Sequence, residues 1–104
     1  MAARVSADNF EAEVLKADGI VLADFYSDSC VPCKRLSPVI AEIEEQFGDK
    51  VKFVKININF DAELAEKYEV QSVPTVVFFR NGEELSRLGG TVKKADIISE
   101  IEKY

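Results

Sequence analysis

At 104 residues, 47% of them hydrophobic, the chain is sized for one packed domain spanning residues 1–104 and is too short for two. Its 13 Lys and Arg against 19 Asp and Glu leave a net charge of -6, which repels nucleic-acid phosphates, and no apolar stretch reaches the ~20 residues of a membrane span. The absence of histidine removes every mechanism that needs an imidazole base, proton shuttle or metal ligand.

The first predicted helix covers about Asp8 to Lys16, with Asp8 and Glu11 in N-cap and N3 spacing, Phe10 and Val14 on one face, and Asp18-Gly19 closing it. The run Ile20 to Tyr26 is short, almost all apolar and bounded by turn formers, the pattern of a strand buried on both faces. After the polar break Ser27-Asp28-Ser29, Leu36, Val39, Ile40, Ile43 and Phe47 recur at helical spacing as far as Gly48. Cys30 thus stands where a strand hands over to a helix. Pro32 falls in the first helical turn, where no N–H is needed, whereas Pro38 falls inside the helix and is expected to kink it.

Val51 to Ile58 reads as a second long strand, and a short helix from about Ala62 to Tyr68 follows it. Together they complete a right-handed βαβ crossover. Val73-Pro74 precedes a strand at Thr75 to Phe79, and Asn81-Gly82 is a two-residue hairpin signal that returns the chain through Glu84 to Leu88. Gly89-Gly90 breaks the sheet, and Ile97, Ile98, Ile101 and Tyr104 mark the apolar face of a closing helix. The sum is an α/β fold, a mixed sheet flanked by helices. X-Pro bonds are cis in only ~5–6% of folded cases, so the residues alone favour trans at Pro74. Phe25, Tyr26, Phe53, Phe78 and Phe79 lie in strands and are expected in the core.

Chemistry concentrates at Cys30-Val31-Pro32-Cys33. A bridge between such close neighbours removes little entropy from the unfolded chain, so the pair is not a structural staple. One sulfur sits at the helix start and the other about one turn later on the same side, within reach of each other. The free N–H groups of the helix start favour a thiolate at Cys30, and Lys34 and Arg35 add positive charge nearby. Cys30 is therefore the expected attacking sulfur and Cys33 the shielded, resolving one. A zinc site lacks the further ligands it needs, and inert packing cysteines would not be expected paired at a strand-to-helix junction.

Asp24 is the second informative residue, because a carboxylate inside an apolar strand costs several kcal/mol unless paired or protonated. Lys55 sits on the alternation face of Val51 and Phe53, where an apolar side chain was due, and adjacent strands could bring the two charges together. A buried carboxylate with a raised pKa behind the cysteines could take the proton of Cys33. The plainer reading places Asp24 at a wet strand end, ordering a loop.

Asp24-Phe25, Cys30-Val31-Pro32-Cys33-Lys34, Pro38, Lys55, Val73-Pro74-Thr75, Asn81-Gly82 and Gly90 together resemble the thioredoxin family along nearly the whole chain. The resemblance implies five strands in the order 1-3-2-4-5 flanked by four helices. It implies a cis bond before Pro74 facing the cysteines, and substrate contacts from Val31, Pro32, Val73, Pro74, Thr75 and Gly90. It also implies that Asp24 and Lys55 form a buried pair serving proton transfer at Cys33. The expected activity is reduction of protein disulfides through a redox-active Cys30–Cys33 disulfide, without bound cofactor or metal. The expected partners are disulfide-containing proteins and a thioredoxin-reductase-type electron donor, with no nucleic acid or membrane partner, for a cytoplasmic monomer.

The chain departs from the family's usual Trp-Cys-Gly-Pro-Cys with Ser29 for Trp and Val31 for Gly, and it has Tyr26 where a Trp is common. A missing indole and an added β-branched side chain change the docking surface. They motivate two alternatives: a binding or scaffold module that keeps the fold, and a dedicated electron donor to one enzyme. With no His between the cysteines to stabilise the Cys30 thiolate, a reducing couple is expected, nearer ~-270 mV than ~-120 mV.

Overall fold

An apolar run with no polar face can be satisfied only at the centre of a sheet covered on both sides, and Ile20–Tyr26 forms that central strand. The computed structural model describes residues 3–104. Its strands are β1 (Ala3–Arg4), β2 (Ile20–Tyr26), β3 (Val51–Asn57), β4 (Thr75–Arg80) and β5 (Glu83–Gly89), in the order β1-β3-β2-β4-β5. Strands β1, β3 and β2 run parallel, while β4 is antiparallel to both β2 and β5. Four helices complete the fold: α1 (Glu11–Leu15), α2 (Val31–Phe47), α3 (Ala62–Lys67) and α4 (Lys94–Lys103).

Alternation along the strands divides the core into two layers. Leu22 of β2, Phe53 of β3 and Phe78 of β4 pack with Leu36, Ile40 and Ile43 of α2 and Ile97 and Ile101 of α4. Val21, Ala23 and Phe25 face the other way, with Val54, Ile56 and Phe79, against Phe10 and Val14 on one side and Leu64 and Ala65 on the other. Asp24 lies on the α2 side, two residues past Leu22, where the next apolar position was due. The Asn81-Gly82 turn holds both residues at positive φ (53° and 80°), the conformation that fits a two-residue hairpin.

The first helix differs from its expected form. Asp8 does not cap it; the turn begins at Ser6, whose backbone N–H donates to Asn9 Oδ1 (2.8 Å) while its carbonyl accepts from Asn9 N–H (3.2 Å). The helix body then widens to i→i+5 bonding, with Lys16 N–H donating to Glu11 O at 2.9 Å. Strand β1 is two residues long, too short to show a period of its own. Pro38 lies inside α2, which runs through it as one helix. The Val73–Pro74 bond is cis, against the trans expected from the residues and in line with the family resemblance.

Candidate active site

Strand β2 leaves the sheet at Tyr26, and the chain turns through Ser27–Ser29 to start α2 at Val31. The turn closes when Cys30 N–H donates to Ser27 O at 3.3 Å. Cys30 is the N-cap of α2, with extended backbone, and its Sγ accepts a hydrogen bond from Cys33 N–H at 3.1 Å. A sulfur thus takes the place usually held by a Ser or Asp oxygen at a helix start. Pro32, in the first turn, withholds no bond the helix requires.

A disulfide joins Cys30 and Cys33, whose Cα atoms are 5.2 Å apart. The two sulfurs differ in setting. Cys33 is buried on the α2 face beside the sheet, whereas Cys30 is half-exposed and its neighbour Val31 stands well out into solvent. Cys30 is therefore the more accessible of the two cysteines.

Beneath Cys33 lies a cavity of about 160 Å³ lined by Asp24, Tyr26, Asp28, Ser37 and Lys55 among others. Asp24 and Lys55 are direct register partners across the β2–β3 ladder. Asp24 is 8% exposed and its Oδ1 has no hydrogen-bond partner. Burial pushes the Asp24 carboxyl up to about 7, with the field of the Lys55 ammonium opposing that rise. Lys55 itself is only half-buried and extends past the Tyr26 ring, 5.8 Å from its centroid, so the two charges share the cavity without both being buried. A carboxyl poised near neutrality next to a thiol is suited to receive or return a proton.

Three polar residues hold the turn before Cys30, and sequence reasoning did not single them out. Asn57, at the end of β3 and fully buried, donates through Nδ2 to both carboxylate oxygens of Asp28 (3.2 Å each). Its Oδ1 accepts from Asn59 N–H at 2.9 Å, and Asn59 Oδ1 accepts from Asp28 N–H at 3.2 Å. The one hint in the sequence is the pair of Asn residues where an apolar strand gives way to a loop.

The remaining expected contact residues approach from neighbouring elements. Thr75 pairs with Phe25 across β2–β4 and with Gly89 across β4–β5, so the cis Val73–Pro74 bond sits beside the end of β2 from which the cysteine turn departs. The Thr75 hydroxyl donates to Ser72 O at 2.7 Å, fixing that bend. Pro74 is buried and Val73 half-buried. Gly90 has φ of 72°, a conformation natural to glycine, and lines a second groove with Pro32. Val31, Val73 and Thr75 line neither this groove nor the cavity under Cys33. Among the described residues no group of His, Cys, Asp and Glu is arranged to hold a metal ion, and no helix is long and apolar enough to cross a membrane.

Comparison with known proteins agrees with this geometry. The family model described as Thioredoxin matches residues 1–103. The chain is 43% identical over 98 residues to a protein named Thioredoxin from Rickettsia bellii, covering 94% of this chain and 93% of that one. It is 36% identical over 103 residues to Thioredoxin 1 of a Nostoc species, covering 99% and 96%. It is 37% identical over 103 residues to the chloroplastic M-type thioredoxin of Chlamydomonas reinhardtii, covering 99% of this chain and 74% of the relative.

Proposed function

The chain belongs to the thioredoxin family and is a thiol–disulfide oxidoreductase, and from that premise we propose that it reduces protein disulfides with Cys30 attacking and Cys33 resolving. The observation that carries the reading is the half-exposed Cys30 Sγ at the start of α2, accepting from Cys33 N–H at 3.1 Å. In the reduced protein the same N–H, the helix dipole and the neighbouring Lys34 and Arg35 favour a Cys30 thiolate.

The Cys30 thiolate attacks one sulfur of the substrate disulfide, forming a mixed disulfide and expelling the other substrate sulfur, which takes a proton from solvent. Cys33 then gives its proton to Asp24 and attacks Cys30 Sγ, expelling the second substrate sulfur as a thiolate that takes a proton from solvent. Two electrons pass from the dithiol to the substrate, and the Cys30–Cys33 disulfide remains, as in the structure. The cavity between Cys33 and Asp24 has room for water to carry the proton, and Lys55 balances the charge of the Asp24 carboxylate before that proton arrives. Val31, Pro32, Val73, Pro74, Thr75 and Gly90 form the surface that receives the substrate chain.

In this reading the protein works as a one-domain monomer on disulfide-containing proteins and is returned to the dithiol by a separate donor of the thioredoxin-reductase type. A cytoplasmic location suits a pair that must be kept reduced. The test is covalent capture, with insulin as the disulfide substrate. Reduced Cys33→Ser protein is expected to stay bonded to an insulin chain through Cys30 until dithiothreitol releases it, and Cys30→Ser protein, folded as shown by circular dichroism, to capture nothing. Capture by Cys30→Ser but not by Cys33→Ser would reverse the two roles, and capture by neither would remove them.

A further inference from the structure

Beside the disulfide, on the opposite flank from the Asp24 cavity, a groove of about 450 Å³ runs between α2 and the loop that leads into α4. Its apolar lining is Pro32, Leu36 and Val39 from α2, with Val92 from the loop. On α2 the lining residues Pro32, Arg35, Leu36 and Val39 follow i, i+3, i+4, i+7 spacing, so they make one stripe over two turns. The seven steps from Pro32 to Val39, at ~1.5 Å rise each, give about 10 Å, which is about three residues of extended peptide.

The charge of this groove is opposite to that of the molecule. Arg35, Lys93 and Lys94 line it and no carboxylate does, on a chain whose net charge is -6. Lys94 is held by Glu42 at 2.9 Å. Arg35 and Lys93 are both exposed, and among the described residues neither is engaged in an ion pair. Two free cations at the rim of an apolar trough, on a chain that is otherwise net negative, attract an acidic partner and repel a basic one. Because Pro32 belongs to the cysteine turn, a chain whose half-cystine is at Cys30 can run directly into the trough.

We infer that Arg35 and Lys93 determine substrate choice, favouring disulfides whose cysteine is followed or preceded within about three residues by Asp or Glu. The inference rests on the reductase reading above and adds to it the chemical class of the segment that docks.

The experiment uses the reduced full-length protein and three symmetric peptide disulfides that differ only in the residues flanking cysteine: Glu, Gln or Lys. Each rate is divided by the rate of the same peptide with dithiothreitol, which removes the effect of the flanking charge on the substrate's own sulfur. At low ionic strength the Glu peptide is expected to be reduced about tenfold faster than the Gln peptide, with the Lys peptide slowest. The preference should shrink towards unity near 1 M salt, where the screening length is ~3 Å. The double variant Arg35→Gln/Lys93→Gln is expected to bring the Glu-to-Gln ratio to within about twofold of one. A ratio at or below one in the unaltered protein, or a ratio that survives the double variant, overturns the inference while leaving the reductase reading intact. Absence of turnover with all three peptides overturns both.

Discussion

Asp24 and Lys55 stand opposite each other across the β2–β3 ladder, and both open onto the cavity beneath Cys33. The carboxyl is therefore tied both to stability and to the reaction. Its pKa rises from 3.8 to about 7 on folding, so between those values the folded chain keeps a proton that the unfolded chain releases. Stability contributed by the neutral form is full below the unfolded value and is lost as pH rises towards 7. At ~1.36 kcal/mol for each pKa unit, the loss is on the order of 4 kcal/mol. Urea unfolding of Asp24→Asn at pH 8 should show a gain of that order, vanishing below about pH 4.

The same substitution removes the proton acceptor proposed for Cys33. With insulin in excess, Asp24→Asn is expected to capture substrate on Cys30 at the normal rate but to release it at least about tenfold more slowly. Quenched-flow trapping of the mixed disulfide separates the two steps. Equal slowing of both would place Asp24 outside the resolving step.

Asn57 and Asp28 are expected to act as a unit. Asn57→Leu leaves Asp28 and the Asn59 N–H without their partner, a loss of about 1–3 kcal/mol. In a double-mutant cycle with Asp28→Asn, the pair should couple by about 0.5–3 kcal/mol. The Cys30 turn hangs from these bonds, so the Asn57 variant should also capture insulin more slowly; strict additivity with an unchanged capture rate would show that the three residues hold only themselves.

The pair is expected to be a reductant. Titration against a dithiothreitol series should give one reversible two-electron transition nearer ~-270 mV than ~-120 mV. No histidine lies between the cysteines to stabilise the thiolate and draw the couple towards oxidation.

The parts of this architecture that could be read from the chain are those whose signal lies within one element. The apolar run Ile20–Tyr26, the helical spacing from Leu36 to Phe47 and the Asn81-Gly82 turn each carry their own periodicity or backbone demand, and the structure has them where they were expected. Asp24 was legible because a carboxylate breaks an otherwise apolar run. Strand β1 was not, since two residues have no period and β1 exists through pairing with β3. The start of the first helix was misread because Asp8 and Glu11 have capping spacing, yet Ser6 and Asn9 make the bonds. The cis state of Pro74 came from family resemblance, as the residues alone favour trans. The Asp28–Asn57–Asn59 hydrogen bonds span 29 and 31 residues of chain, and only tertiary folding brings those side chains together.

The most direct test of the account is the rate at which iodoacetamide alkylates Cys30 in reduced Cys33→Ser protein, followed from pH 4 to pH 10. A cysteine at the mouth of α2, beside Lys34 and Arg35, should show a single inflection clearly below the ~8.5 of a free thiol. An inflection at or above that value would contradict it, and the fold would then hold a pair of ordinary thiols.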